Sequence, residues 1–267
     1  MKYCVLSIKT NKRIIEKSII VVLITTLFVF NTQWLSVYEA IYGVSLCNVS
    51  LQTATISKGP PYVIAIDPGH GATDTGAQAI VDEYKVIDQT AEYLYTLLES
   101  DENFIPVMTR IDTDPESGPR ADVANSACAS LLISIHANCD SHKSSKGFEC
   151  FPTPPGRIYH RQSLYFAQLV TQQMATAGHT LRGGESKTGI KYAYYYGKEK
   201  QIVESSDNKI RSRKSFGVLE KTNCPRLLVE QCFISNYDDV QNWATPKGCK
   251  RAATLYYHAI KQYFSLE

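Results

Sequence analysis

Three short apolar runs, each closed by a side chain able to bind a metal or move a proton, constrain this chain more than any other feature. Val63-Ile64-Ala65-Ile66 stops at Asp67-Pro68-Gly69-His70-Gly71, Leu131 to Ile135 stops at His136, and Leu227-Leu228-Val229 stops at Glu230. Runs of this length, rich in β-branched residues and bounded by turn formers, predict buried strands. Open α/β sheets build their sites where such strands end. His70, His136 and Glu230 are therefore expected at one sheet edge.

The segments between these runs alternate. From about Glu83 the apolar positions Val86, Ile87, Leu94, Leu97 and Leu98 recur at helical spacing. Phe104 to Met108 predicts a strand, Arg120 to Ala129 a short helix, Gly147 to Phe151 a further strand, and Leu164 to Met174 an amphipathic helix. Residues 180 to 214 break the rhythm with Gly183-Gly184, the run Tyr192 to Tyr196 and a surplus of Lys and Arg, which reads as a loop or insertion with room for a β-hairpin. Phe216 to Leu219 and Arg226 to Glu230 predict two more strands. Ser235-Asn236 would cap a helix near Asp238 to Trp243, and a last helix should run from about Lys247 to Phe264. The alternation predicts a single α/β domain with a mostly parallel, mixed, twisted sheet flanked by helices.

Ahead of that domain, Lys2, Lys9, Lys12, Arg13 and Lys17 precede the apolar run Ser18 to Phe30. A run of ~13 residues behind a basic flank is a secretory signal peptide or a membrane signal-anchor. The expected organisation is 1–31 signal or anchor, 32–61 linker ending in Gly59-Pro60-Pro61, and 62–267 folded domain. Export follows, either as a tether on the extracytoplasmic face or as a secreted protein. Eight cysteines suit an oxidising compartment, although buried free thiols account for them equally well. Beyond the basic leader the chain is slightly acidic, which gives no case for nucleic acid as a partner.

Two histidines at neighbouring strand ends begin a metal site, and a catalytic zinc takes three protein ligands. The third ligand is open among Asp67, Asp74, Asp82 and Glu83. Asp67, before Pro68, suits a hydrogen bond to the turn or to the second nitrogen of a ligating histidine. Glu83 opens a helix, where its charge complements the dipole. His142, His160, His179 and His258 read mostly as solvated or helix-surface residues. Glu230 sits inside a segment that otherwise wants burial, which suits a general base with a raised pKa or an acid paired with Arg226.

Taken in order, Asp67-Pro68-Gly69-His70-Gly71, Glu83 opening a helix, Thr109-Arg110, Arg120, Ala124-Asn125, Ser134-Ile135-His136-Ala137-Asn138, Gly147-Phe148-Glu149 and Leu228 to Asn236 resemble the zinc-dependent N-acetylmuramoyl-L-alanine amidases of the amidase-3 family. The resemblance spans Tyr62 to about Phe264. It implies one Zn2+ per chain on His70, Glu83 and His136, so favouring Glu83 over Asp82, with Glu230 catalytic. Asp67, Asn138 and Arg226 are candidates for contacts to the ligands or the substrate. The implied reaction is cleavage of the bond between N-acetylmuramic acid and L-alanine in peptidoglycan; independently of the resemblance, the chain is expected to be a monomer whose N-terminal segment reaches the membrane. An inactive wall-binding protein or a zinc peptidase on the same fold are the alternatives. Departures from the family pattern are Ala72, Asp88, Gln231, which would narrow the site, and the basic, Tyr-rich stretch 187–214.

Overall fold

The computed structural model describes residues 59–71, 74–110, 117–183 and 187–266. The signal or anchor segment, most of the linker and Ala72 lie outside them. Among the described residues no helix is long and apolar enough to cross a membrane.

The main sheet contains β1 (Tyr62–Pro68), β2 (Phe104–Met108), β3 (Leu131–Asn138), β4 (Glu149–Pro152) and β7 (Arg226–Phe233), in the order β2-β1-β3-β7-β4. All pairings are parallel except that of β4 with β7, which is antiparallel at the edge. The expected mostly parallel, mixed sheet is thus present. Helix α1 (Glu83–Glu99) carries the chain from β1 outward to β2, and α2 (Ser117–Ser126) carries it back past β1 to β3. Strand order reverses there, so a crevice opens beyond the ends of β1 and β3.

The two faces of the sheet differ in how they are covered. On one, Ile64, Ile66, Ile133, Ile135, Leu227 and Val229 pack against Val86, Ile87 and Leu94 of α1, Phe166, Val170 and Met174 of α3 (His160–Thr176), and Tyr256 and Ile260 of the last helix, Pro246–Tyr263. The other face has a smaller cluster built on Ala65, Leu132, Phe151 and Leu228. Because side chains alternate along a strand, His136 and Glu230 share the second face with Leu132 and Leu228. The site is therefore placed where the apolar cover runs out.

The basic stretch contains a hairpin, β5 (Lys191–Tyr196) and β6 (Glu199–Glu204), which turns at Gly197 with φ 65°. Phe216 to Leu219, expected as a strand, instead enters helix α4 (Gly217–Lys221). Glu220 accepts from the Ser215 N–H at 2.7 Å and the Thr222 hydroxyl donates to the Val218 carbonyl at 2.7 Å, closing one tight turn. Val218 and Leu219 are still buried, in the second cluster. Burial of that adjacent apolar pair was legible, but its backbone was not. Asn236 caps the short helix α5 (Tyr237–Asp239) by accepting from the Asp239 N–H, as expected, and a π-helical turn, Val240–Ala244, continues it.

Candidate metal centre

Glu83 is the hub of the crevice. It opens α1 and is 4% exposed, and its Oε1 lies 3.1 Å from His70 Nε2 and 3.3 Å from His136 Nδ1. Four ligands at zinc–nitrogen and zinc–oxygen lengths of ~2.0–2.1 Å, arranged tetrahedrally, lie roughly 3.3 Å apart. The described residues contain one such group of metal-type ligands, His70, Glu83 and His136, with their ligand atoms all within 4.8 Å of one another. The donor chemistry, two imidazoles and a carboxylate, fits zinc.

The backbone builds this convergence under constraint. His70 has a φ of 56°, in the left-handed region that a non-glycine residue enters at a cost of about 1–2 kcal/mol. It is held there by Arg120, which donates to the carbonyls of Pro68 and His70, and by Arg110, which donates to those of Pro68 and Gly69. A Cβ on Gly69 would overlap the His136 ring, and one on Gly76 would come within 2.7 Å of both Glu83 Oε2 and the His70 ring. Glu83 itself is fixed by the Ala77 N–H on Oε2, at 2.9 Å, and the Ala137 N–H on Oε1, at 3.1 Å. A bulge follows His136 in the β3–β7 ladder, which re-aims the chain at the site.

Charge follows geometry. Burial alone would raise the Glu83 pKa, but hydrogen bonds from His136, His70 and the Ala77 N–H hold it well below the usual carboxylate range. The hydrogen bond to Glu83, opposed by burial and aided by the charges of Glu83 and Asp74, raises His70 from 6.5 to about 9. Glu230, the Cα partner of His136 on β7, has its Oε2 buried without a hydrogen-bond partner among the described residues. Burial raises its pKa from 4.5 to about 7, with His136 opposing and the charges of Glu83 and Glu149 adding.

The remaining expected residues divide. Asp67 takes the turn-bracing role and not the histidine one: it accepts from Thr109 Oγ1 at 2.5 Å, Ser134 Oγ at 2.6 Å and Arg120 at 3.1 Å. Asp74 instead holds His70 Nδ1, at 2.8 Å. Asp82 is drawn off to Lys85, 2.7 Å away. Asn138 lies beside the site and donates to Glu149 at 2.8 Å. Arg226 does not reach it. That guanidinium is buried at the far end of β7, donating to the carbonyls of Leu219 at 2.6 Å and Cys224 at 2.9 Å, so it neither contacts the ligands nor pairs with Glu230.

Gln231, expected to narrow the site, points to the opposite face and donates to the Trp243 carbonyl at 2.7 Å. Strand alternation turns it away from its neighbour Glu230. Asp88 pairs with Arg110 at 2.5 Å and so supports the His70 turn indirectly. His179, one of four histidines expected for the most part to be solvated or on helix surfaces, is 5% exposed and stacks on Trp243 with ring centroids 4.1 Å apart. Cys139 is a free, exposed thiol, while Cys150, Cys224, Cys232 and Cys249 are free and buried. The sequence placed Glu149 only within the family block Gly147-Phe148-Glu149 and gave it no role, although a carboxylate in the apolar strand Glu149-Cys150-Phe151 carries the same signal that marked Glu230.

Comparison with known proteins matches this architecture to one family. The Amidase_3 family model, described as N-acetylmuramoyl-L-alanine amidase, matches residues 64–262. The chain is 29% identical over 240 residues to N-acetylmuramoyl-L-alanine amidase AmiC of Escherichia coli O6:H1, covering 80% of this chain and 55% of that protein. It is 26% identical over 222 residues to a putative N-acetylmuramoyl-L-alanine amidase of Buchnera aphidicola subsp. Schizaphis graminum, covering 74% of this chain and 95% of that one. The chain thus spans about half the length of the Escherichia coli relative. Among solved structures, the catalytic domain of the amidase CwlV from Bacillus (Paenibacillus) polymyxa var. colistinus superposes with a TM-score of 0.60 at 26% identity, covering 77% of this chain and 99% of that domain.

Proposed function

The chain belongs to the N-acetylmuramoyl-L-alanine amidase family, and from that premise we propose that it hydrolyses the amide joining N-acetylmuramic acid to L-alanine in peptidoglycan. One observation carries the reading. His70, Glu83 and His136 present ligand atoms to a common point, and Glu230 stands beside them as a carboxylate with an unpartnered, buried oxygen.

When bound by His70, Glu83 and His136, a zinc ion would polarise the scissile carbonyl and make water nucleophilic near neutral pH. The protein's own residues supply the remainder. Glu230 takes the proton from the attacking water and returns it to the departing L-alanine nitrogen, a cycle suited to a carboxylate whose pKa burial has raised toward 7. Asp74 holds His70 Nδ1 and so aims Nε2 at the ligand position. Arg110 and Arg120 hold the turn that carries it.

The proposal extends to the whole chain. One zinc per monomer serves residues 62–267, residues 1–31 direct export or hold the protein to the membrane, and residues 32–61 span from there to the wall. The test uses the full chain, solubilised in detergent and incubated with purified peptidoglycan. New L-alanine amino termini are expected, abolished by a chelator and restored by zinc. Release of other amino termini would indicate a peptidase, and wall binding with no release would overturn the enzymatic reading.

A further inference from the structure

Beyond Glu230 the same row of the sheet continues into charges that amide hydrolysis does not use. Glu149 is the Cα partner of Glu230 across the antiparallel β7–β4 ladder, so the two side chains leave the same face. His136, Glu230 and Glu149 therefore form a row across three adjacent strands. At a strand spacing of ~4.8 Å, Glu149 lies roughly 10 Å from the ligand end of that row.

Glu149 is 3% exposed and fully engaged. Its Oε1 accepts from Asn138 at 2.8 Å, and its Oε2 accepts from both Lys191 Nζ at 2.7 Å and Arg182 Nε at 2.8 Å. The Arg182 guanidinium also lies 4.5 Å over the Phe233 ring. One carboxylate thus faces two cations, of which Lys191 is only 8% exposed. Withdrawing cations from water is costly unless negative charge balances them. Lys191 and Arg182 line one side of an open cleft of about 410 Å3 with Lys146, Leu181, Gly183 and Glu204. Among the described residues that line the cleft, with Glu149 added, three cations meet two carboxylates, and Lys146 lies 4.0 Å from Asp238, which is exposed. An exposed pair at that distance is largely screened by water.

We propose that Lys191 and Arg182 form an anion subsite that receives a carboxylate of the stem peptide, an inference that rests on the amidase reading. An extended peptide advances ~3.5 Å per residue, so the roughly 10 Å between the ligand end of the row and Glu149 is covered within about three residues. The subsite would thus select peptides bearing a free acid near the cleaved bond over those bearing a carboxamide there. Glu149 would act as its floor, fixing both cations in the absence of substrate. The hairpin that sequence left without a role acquires one, since β5 delivers Lys191.

Two synthetic muramoyl peptides that differ only in a free acid or a carboxamide on the second residue test this, with the zinc-loaded full chain. The acid should be cleaved with a kcat/KM about tenfold higher, the difference residing in KM and shrinking as salt rises. Arg182→Gln should erase the preference, and Arg182→Lys, which retains the charge, should keep most of it. Equal kcat/KM in the unaltered protein, or a preference undiminished in both Arg182→Gln and Lys191→Met, would overturn the subsite. If neither peptide is cleaved the amidase reading fails, and calorimetric binding of the two peptides then decides the subsite: tighter binding of the acid supports it, and equal binding overturns it.

Discussion

His136 on β3 and Glu230 on β7 are Cα partners in a parallel ladder, one with its imidazole on the Glu83 hub and the other with a buried oxygen that finds no hydrogen-bond partner among the described residues. Register partners in a sheet leave the same face about 4.8 Å apart. The sheet therefore sets the distance between a ligand position and the proposed proton acceptor, and loop motion does not change it.

The protonation of Glu230 should shape the pH profile. Burial raises its pKa from 4.5 to about 7, and only the carboxylate can accept a proton. Activity should therefore rise with pH along an acidic limb lying between those two values, because a bound zinc ion's charge pulls the limb down from 7. The dependence of kcat/KM on pH checks this. A profile with no limb in that window would contradict Glu230 as the base.

The metal-free protein should lose stability as pH rises, opposite to the common behaviour of proteins held by carboxylates. His70 has a folded pKa of about 9 against an ordinary 6.5, chiefly through Glu83. Its raised value means that the folded state holds the proton more tightly. The stabilisation is full below pH 6.5 and is lost as pH climbs through about 9. Thermal unfolding of chelator-treated protein over that interval should show the decline, and His70→Asn should lack this component. An identical pH dependence in both proteins would count against the His70–Glu83 pairing.

Asp74→Asn should weaken zinc binding by roughly 10- to 100-fold, the usual effect of losing the partner that orients a ligating histidine. Competition with a chromogenic chelator measures it. Unchanged affinity would mean that the 2.8 Å contact to His70 Nδ1 does no orienting.

Arg120→Met should destabilise the domain by about 3 kcal/mol, because it removes the cation facing the buried Asp67, 2% exposed, and leaves that side chain the hydroxyls of Thr109 and Ser134. Adding Asp67→Asn should recover part of that loss. Denaturant unfolding provides the comparison. A loss below about 1 kcal/mol would show that the pair contributes little.

Much of this arrangement was legible in the chain because strand periodicity and strand-terminal chemistry are local signals. His70, His136 and Glu230 each close an apolar run, and the ladders bring those ends together. Glu83 was distinguishable from Asp82 only through the family pattern, since both are acids at the start of α1 and the helix phase alone separates them. Arg226 was misjudged for a different reason: in a strand, four residues correspond to about 13 Å, so a neighbour of Glu230 in sequence sits at the far end of the sheet. Gln231 fell to the pleat, which turns adjacent residues to opposite faces. The Glu149, Lys191 and Arg182 cluster joins three separate segments through non-local pairing, which no spacing rule reports. Phe216 to Leu219 showed its burial and hid its helix, because an adjacent apolar pair fits either backbone.

Glu230→Gln, assayed for zinc content and for release of L-alanine amino termini from peptidoglycan on the same preparation, tests the assigned proton acceptor most directly. The expected result is zinc near one per chain with turnover lowered by about 10²–10⁴-fold. Retained turnover at normal zinc content would contradict the role assigned to Glu230.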